Sequence, residues 1–169
     1  MPQALFRGPI EGISPWLMPV AHGLEHAREE LREVVPGLSV DDLWRKPGGA
    51  ASIGWHLLHV VGSTDRLFTY AHGLPLDERQ RSWLNLERAG QADLSAEELL
   101  ATMDRVVDHC LEALRKLDDS ELQEAREVGA AKLPSTVLGL LFHAAEHAQR
   151  HSGQVVTTVR VLGSLPTTD

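Results

Sequence analysis

Histidines are the residues of this sequence whose type and spacing point most directly to chemistry. Nine are present, and three of them, His143, His147 and His151, recur at intervals of four residues. A helix turns by about 100° per residue, so side chains four positions apart share one face. Two imidazoles at this spacing can bind one metal ion if a third ligand comes from a neighbouring element. The spacing therefore supplies the pair His147 and His151 and leaves the third ligand open.

An isolated pair of this kind also occurs on solvated helices, so its neighbours matter. Three small residues flank the pair and would let another helix approach closely: Ala144, Ala145 and Ala148. Gln154 lies three residues beyond His151, near the same azimuth, where it could hydrogen-bond a ligand histidine or a bound water. These neighbouring residues favour a metal site over a solvent-exposed helix face.

Helix caps and apolar periodicity predict the elements that position these histidines. Ser14 with Pro15, Ser52 and Ser95 are typical of helix N-termini, and Glu98 completes a capping box with Ser95. Apolar residues then recur at steps of three and four, which predicts stripes facing a common core. The predicted helices cover about residues 14–35, 52–72, 95–117 and 134–162.

The predicted fold is all-α: a four-helix bundle forming a single domain over residues 1–169, with long connections between its helices. Residues 73–94 are predicted to form a loop or a broken short helix, and residues 118–133 an irregular link. The β-branched segment 155–161 is interpreted as the end of the last helix rather than as a strand. Such bundles build sites from side chains on facing helices.

Composition argues against two classes of binding partner, nucleic acids and membranes. The net charge of -8 at pH 7 argues against nucleic acid, whose binding needs clustered Lys and Arg. The sequence lacks an apolar run of the length of a membrane span or signal peptide, so no membrane partner and a cytoplasmic location are expected. The single cysteine, Cys110, is spaced as a core residue of a helix, which we favour over a catalytic thiol.

Two segments resemble the DinB/YfiT-like metalloprotein superfamily: SIGWHLLHVVGSTDRLF, residues 52–68, and EHAQRHSGQ, residues 146–154. In that family a histidine follows a helix start of this type, and a pair of histidines four apart precedes a Gly-Gln tail. His59, His147 and His151 occupy those places. The resemblance implies three protein ligands to a divalent metal ion such as zinc or nickel, open coordination positions, and a homodimer. Ser152 departs from the pattern, because arginine is commoner there.

The remaining histidines are assigned by their distance from this set. His56 and His143 lie one turn before His59 and His147, so we expect them, with Gln154, to line the rim of the site or to hydrogen-bond within it. The alternative is that a rotation of its helix exchanges either histidine for a member of the set of three. Four others are interpreted as surface or helix-end residues: His22, His26, His72 and His109.

Three nitrogen ligands with an open position are typical of a catalytic metal site rather than a structural one. The resemblance implies relatives that are thiol-dependent S-transferases and isomerases using mycothiol or bacillithiol. The hypothesis is a metal-dependent thiol S-transferase or hydrolase acting on a small-molecule substrate, with a low-molecular-weight thiol as a candidate partner. The alternative is a non-catalytic, stress-related bundle that binds metal or acts through protein contacts. No catalytic residue beyond the metal ligands is identified by the sequence.

Overall fold

Helices make up most of the chain in the computed structural model, which describes residues 3–164. Residues 1–2 and 165–169 of the predicted domain lie outside this range. In chain order the elements are helices α1 (Met18–Val34), α2 (Val40–Trp44), α3 (Ile53–Ala71), α4 (Glu78–Ala89) and α5 (Ala96–Lys116), strands β1 (Ala125–Val128) and β2 (Leu133–Thr136), and helix α6 (Val137–Ser164). The prediction of a mostly helical protein is confirmed, with a two-stranded sheet added.

Helices α3 and α5 begin and end within one residue of their predicted bounds, because local capping fixes their starts. The Ser52 hydroxyl accepts a hydrogen bond from the Trp55 amide at 3.1 Å. Ser95 accepts from the Glu98 amide, and the Glu98 carboxylate accepts from the Ser95 amide in return. These bonds use backbone donors that a helix start leaves without partners.

Helix α1 begins one turn later than predicted. The Ser14 hydroxyl accepts from the Trp16 amide, and the Ser14 carbonyl accepts from the amides of Leu17 and Met18. Ser14 therefore caps a turn that leads into the helix, and Pro19, which has no N–H to satisfy, occupies the first helical turn.

The prediction that the last helix starts near residue 134 is also wrong. Residues 133–136 form strand β2, which pairs antiparallel with β1, so that Pro134 lies opposite Glu127. Gly129 and Lys132 adopt positive φ in the turn between the strands. Pairing across this hairpin overrides the apolar pattern that favoured helix here. The segment 155–161 does lie within α6, as predicted.

Residues 73–94 contain a complete helix, α4, where a loop or a broken short helix was expected. Asp77 and Gln80 form a capping box at its start. Gly90, with φ of 76°, ends the helix in the left-handed conformation that glycine adopts most easily. This helix lies against α3 and contributes to the site described below.

The four long helices pack around one core, with α6 against both α1 and α3, and α5 also against α1 and α3. Small residues allow these approaches: Ala144 and Ala148 are fully buried, and a side chain at Gly23 would come within 3.0 Å of the Ala145 methyl group. Cys110 is fully buried, which confirms the prediction of a core residue. Among residues 3–164, no helix is both long and apolar enough to cross a membrane.

We expect Gly54→Ala to destabilise the protein, because a Cβ at this position would lie 2.7 Å from two ring carbons of the buried Trp44. Forcing an extra methyl group into a packed contact costs about 1–3 kcal/mol. The free energy of unfolding in urea measures the effect. Gly153→Ala is the matched control, since nothing lies within 4 Å of its Cβ position on α6 and helix propensity then favours alanine. Equal stability of Gly54→Ala and the unmodified protein would contradict the proposed packing of α2 on α3.

Candidate metal centre

The structure brings together His59 from α3 with His147 and His151 from α6. One nitrogen from each of the three rings lies within 4.8 Å of the other two. His59 Nε2 and His147 Nε2 are 3.2 Å apart, and the rings of His147 and His151 have centroids 4.5 Å apart. The histidines that the sequence selected therefore form one cluster between two packed helices.

The orientation of His59 is set by a carboxylate on α4. His59 Nδ1 lies 3.0 Å from Oε2 of Glu87. Arg66 donates to both oxygens of the same carboxylate, at 2.5 and 3.0 Å. Glu87 is ionised beside this cation and has no proton to give, so the hydrogen lies on Nδ1 of His59. The Nε2 lone pair of His59 is then directed into the cluster.

The other two rings are held through their Nδ1 atoms in the same manner. The Ser63 hydroxyl donates to the Val60 carbonyl at 3.3 Å and accepts from His147 Nδ1 at 3.3 Å. His151 Nδ1 lies 2.9 Å from Nδ1 of His56. Each ring of the cluster thus uses Nδ1 for a protein partner and leaves Nε2 available as a ligand atom.

The 3.2 Å separation between His59 Nε2 and His147 Nε2 fits a shared metal ion. With both ring hydrogens on Nδ1, two lone pairs face each other without a proton between them. A cation placed between these lone pairs would be stabilised by both. Tetrahedral zinc, with bonds of about 2.0–2.1 Å to nitrogen, holds two ligands about 3.3 Å apart. The donor set and its spacing therefore fit a divalent metal.

Electrostatics keep His147 and His151 neutral. Burial lowers the pKa of His147 to about 3, with repulsion from His151, His59, Arg150 and His143 contributing to that value. Burial likewise lowers the pKa of His151 to about 4, with His59 and His56 adding to the effect and hydrogen bonding by Gln154 opposing it. Neutral imidazole is the form that binds metal.

The Glu87 carboxylate remains charged despite its burial. Burial by itself raises the pKa of Glu87, but hydrogen bonds from His59 and Arg66 outweigh it and hold the pKa below its ordinary value. A buried carboxylate needs such partners, because an unpaired charge is costly in a site of low dielectric constant.

A model of the DinB superfamily matches residues 23–155. The chain belongs to the DinB superfamily. A conserved protein from Enterococcus faecalis has a similar crystal structure, with a TM-score of 0.66, 20% identity, and coverage of 86% of this chain and 96% of the other. A Streptococcus pneumoniae protein is similar with a TM-score of 0.61, 16% identity, and coverage of 85% and 88%. At these identities the two structures support the fold alone, and no curated protein matches the chain.

In this DinB-superfamily chain, two tryptophans hold α4, the helix that carries Glu87, in place. Trp55 stacks on His59, with ring centroids 4.9 Å apart and planes 11° apart, and its Nε1 donates to the Glu87 carbonyl. Trp83 Nε1 donates to the Leu58 carbonyl at 2.8 Å. Gly62 leaves the space for α4, because a Cβ there would collide with the Glu87 carboxylate and the Trp83 ring. Helix α4 is thereby held against α3.

The residues expected around the site occupy different environments. His56 is buried against His151, whereas His143 is exposed, paired with Glu146 at 3.2 Å, with its ring centroid 5.3 Å from that of His147. Gln154 is exposed on α6, one turn after His151.

One of the histidines assigned to the surface lies elsewhere. His22 is buried, and its Nε2 lies 3.0 Å from the Gly8 carbonyl. The surface prediction for His22 is therefore wrong, since the chain before α1 folds back and covers it. His72 and His109 are exposed, His72 directly after α3, and His26 is partly exposed beside Glu30.

Three residues that hold the cluster were not found from the sequence: Ser63, Arg66 and Glu87. The capping box at Asp77 and the stop at Gly90 are readable signals for α4 itself. No signal in the sequence pairs Glu87 with a histidine 28 residues earlier. That pairing depends on where α4 docks.

We expect Glu87→Ala to destabilise the protein by about 3–5 kcal/mol, because it leaves the largely buried Arg66 guanidinium without its partner. The double variant with Arg66→Ala should lose less than the sum of the two single variants, because no unpaired charge remains. Urea unfolding of all four proteins measures the coupling, with the exposed Glu97→Ala as control. Additive losses would contradict the buried ion pair.

Proposed function

We propose that the protein is a metal-dependent enzyme, a thiol S-transferase or a hydrolase, that binds one divalent ion through His59, His147 and His151. Zinc and nickel are the candidate metals, because imidazole suits both. The substrate is a small molecule, with a low-molecular-weight thiol as one candidate.

One observation carries this proposal: all three rings engage protein partners through Nδ1 and leave Nε2 to the cluster. Chance pairs of histidines have no reason to share this arrangement. A carboxylate, a hydroxyl and an imidazole behind the ligands orient the three rings, and the carboxylate also fixes the tautomer of His59, as partners of metal ligands commonly do. The described residues offer three ligands in this cluster, so positions remain for substrate or water.

The residues of the chain have separate roles in this proposal. His59, His147 and His151 hold the ion, while Glu87 makes His59 a stronger electron donor by accepting its Nδ1 hydrogen. When bound, the metal supplies Lewis-acid chemistry for hydrolysis or for activation of a thiol. The His59 side chain is 23% exposed, which gives a small molecule access to the cluster.

We further propose that α1, α3, α5 and α6 constitute a four-helix bundle of the superfamily's type. The single domain over residues 1–169, the homodimer and the cytoplasmic location stay predictions. The packing of these four long helices around one core supports the bundle.

Metal content tests the ligand set. We expect the purified protein to hold about one zinc or nickel ion per chain, and His59→Ala, His147→Ala and His151→Ala each to lose most of it, because two ligands bind far more weakly than three. Elemental analysis by mass spectrometry after dialysis gives the ratio.

His109→Ala is the matched control for metal content, because His109 is exposed and lies outside the cluster. It should retain the metal of the unmodified protein. Stoichiometric metal in all three cluster variants would exclude this ligand set.

Measurement of substrate turnover distinguishes an enzyme from a protein that only binds metal. We expect the metal-loaded protein to consume small thiols in the presence of electrophiles, or to hydrolyse small esters and amides, and His151→Ala to fall to the background rate because the ion is lost. Thiol depletion and product formation are followed across a substrate panel, with His109→Ala retaining activity. Full metal occupancy with no turnover on any substrate would overturn the enzymatic proposal and support the non-catalytic alternative.

A further inference from the structure

A surface cavity of about 430 Å³ lies next to the histidine cluster, on the side of His56. It lies between the start of α3 and the second half of α6, and this volume suits a small organic molecule. Its lining residues are Ala50, Ala51, His56, Arg150, Gly153, Gln154, Thr157 and Thr158. The cavity and the cluster share a wall, because His56 lines the cavity and contacts His151 through Nδ1.

The lining of this cavity carries a positive charge, whereas the chain as a whole is negatively charged. Arg150 is its one charged lining residue, and no carboxylate lines it, although the chain carries a net charge of -8. By contrast, a cavity of similar size between α3 and α5 is lined by three carboxylates, Asp65, Glu112 and Glu121, against one lysine, Lys116. A site with a cation and no carboxylate attracts anions.

The Arg150 guanidinium has free donors. Within residues 3–164, its one ion pair joins Nε to Glu146 at 3.5 Å, and its two terminal nitrogens make no hydrogen bond to the protein. A planar guanidinium with both terminal nitrogens available can bind a carboxylate through two parallel hydrogen bonds.

His56 supplies a second donor at the wall shared with the cluster. If His151 keeps its Nδ1 hydrogen, so that Nε2 can bind metal, it donates that hydrogen to His56 Nδ1. His56 then carries its own hydrogen on Nε2, which makes no hydrogen bond to any residue in the described range 3–164. An oxygen of a bound anion could accept from this N–H.

The rest of the lining is small or apolar at the contact surface. Thr157 and Thr158 donate their hydroxyl hydrogens to the carbonyls of Gly153 and Gln154, one turn earlier in α6. Their methyl groups, with Ala50 and Ala51, are then available to contact carbon atoms of a ligand. The cavity thus combines anion donors with apolar contacts.

We propose that this cavity binds the carboxylate of a small organic acid, with Arg150 and His56 as donors, and so presents the rest of that molecule to the adjacent histidine cluster. The placement of a reacting group at the cluster and the hydrogen on His56 Nε2 rest on the proposed function, whereas the contact of the carboxylate with Arg150 does not. The substrate class is accordingly a small carboxylate-bearing molecule.

The test compares an acid with its uncharged amide. Zinc-loaded protein is titrated with mercaptopropionate and with mercaptopropionamide, and the amide resonances of Gly153, Gln154, Thr157 and Thr158 are followed by NMR. We expect the acid to bind roughly fivefold more tightly, as a half-exposed charged hydrogen bond allows. Arg150→Gln should abolish this preference, and Arg150→Lys should keep part of it because the charge remains.

Arg160→Gln is the matched control, because it removes the same charge from an exposed position of α6 outside the cavity. It should preserve the preference for the acid. Equal binding of acid and amide, or equal losses in Arg150→Gln and Arg160→Gln, would overturn the anion site.

A metal-free arm separates this inference from the proposed function. Metal-free protein is titrated with propionate and with propionamide. Shifts with propionate that disappear in Arg150→Gln support the carboxylate site even if the protein proves to bind no metal. Absence of these shifts in the unmodified protein overturns the site, whatever the metal content.

Discussion

The contact between α3 and α6 is the interaction on which the rest of the site depends. His59 and His147 are separated by 88 residues in the sequence, and only this contact places their Nε2 atoms 3.2 Å apart. Buried alanines of α6 permit the approach, since larger side chains would keep the helix axes apart. In the resulting low-dielectric environment, neutral imidazoles with inward lone pairs are favoured over imidazolium ions. The contact between α3 and α6 therefore determines both the packing of these helices and the neutral form of the histidine side chains between them.

Helix α4 orients the His59 ring of this cluster through Glu87. Its Glu87 is almost completely buried, which is tolerated because Arg66 and His59 together satisfy the carboxylate. Two tryptophans hold the helix in position through hydrogen bonds to backbone carbonyls of the facing helix. A polar network of this kind is stabilising only when every member has a partner. The same docking that stabilises α4 thus fixes the direction of a ligand lone pair.

The cavity beside His56 lies directly next to the histidine cluster. His56 contacts both the cluster and the cavity, so a molecule held in the cavity lies one imidazole away from His151. Arg150 precedes His151 in the chain, so the helix holds their side chains about 100° apart around its axis. An anion donor and a candidate ligand are therefore fixed relative to each other by one rigid helix.

The sequence by itself determined the features that depend on local geometry. Caps at Ser52 and Ser95 specify helix starts because their bonds span three residues, and four-residue spacing places His147 and His151 on one face. Resemblance to a family, not spacing, selected His59. Tertiary structure alone decided the position of α4, the partnership of Glu87 with His59, and the burial of His22. Those features depend on the distance and rotation between elements, which packing sets and no local pattern encodes.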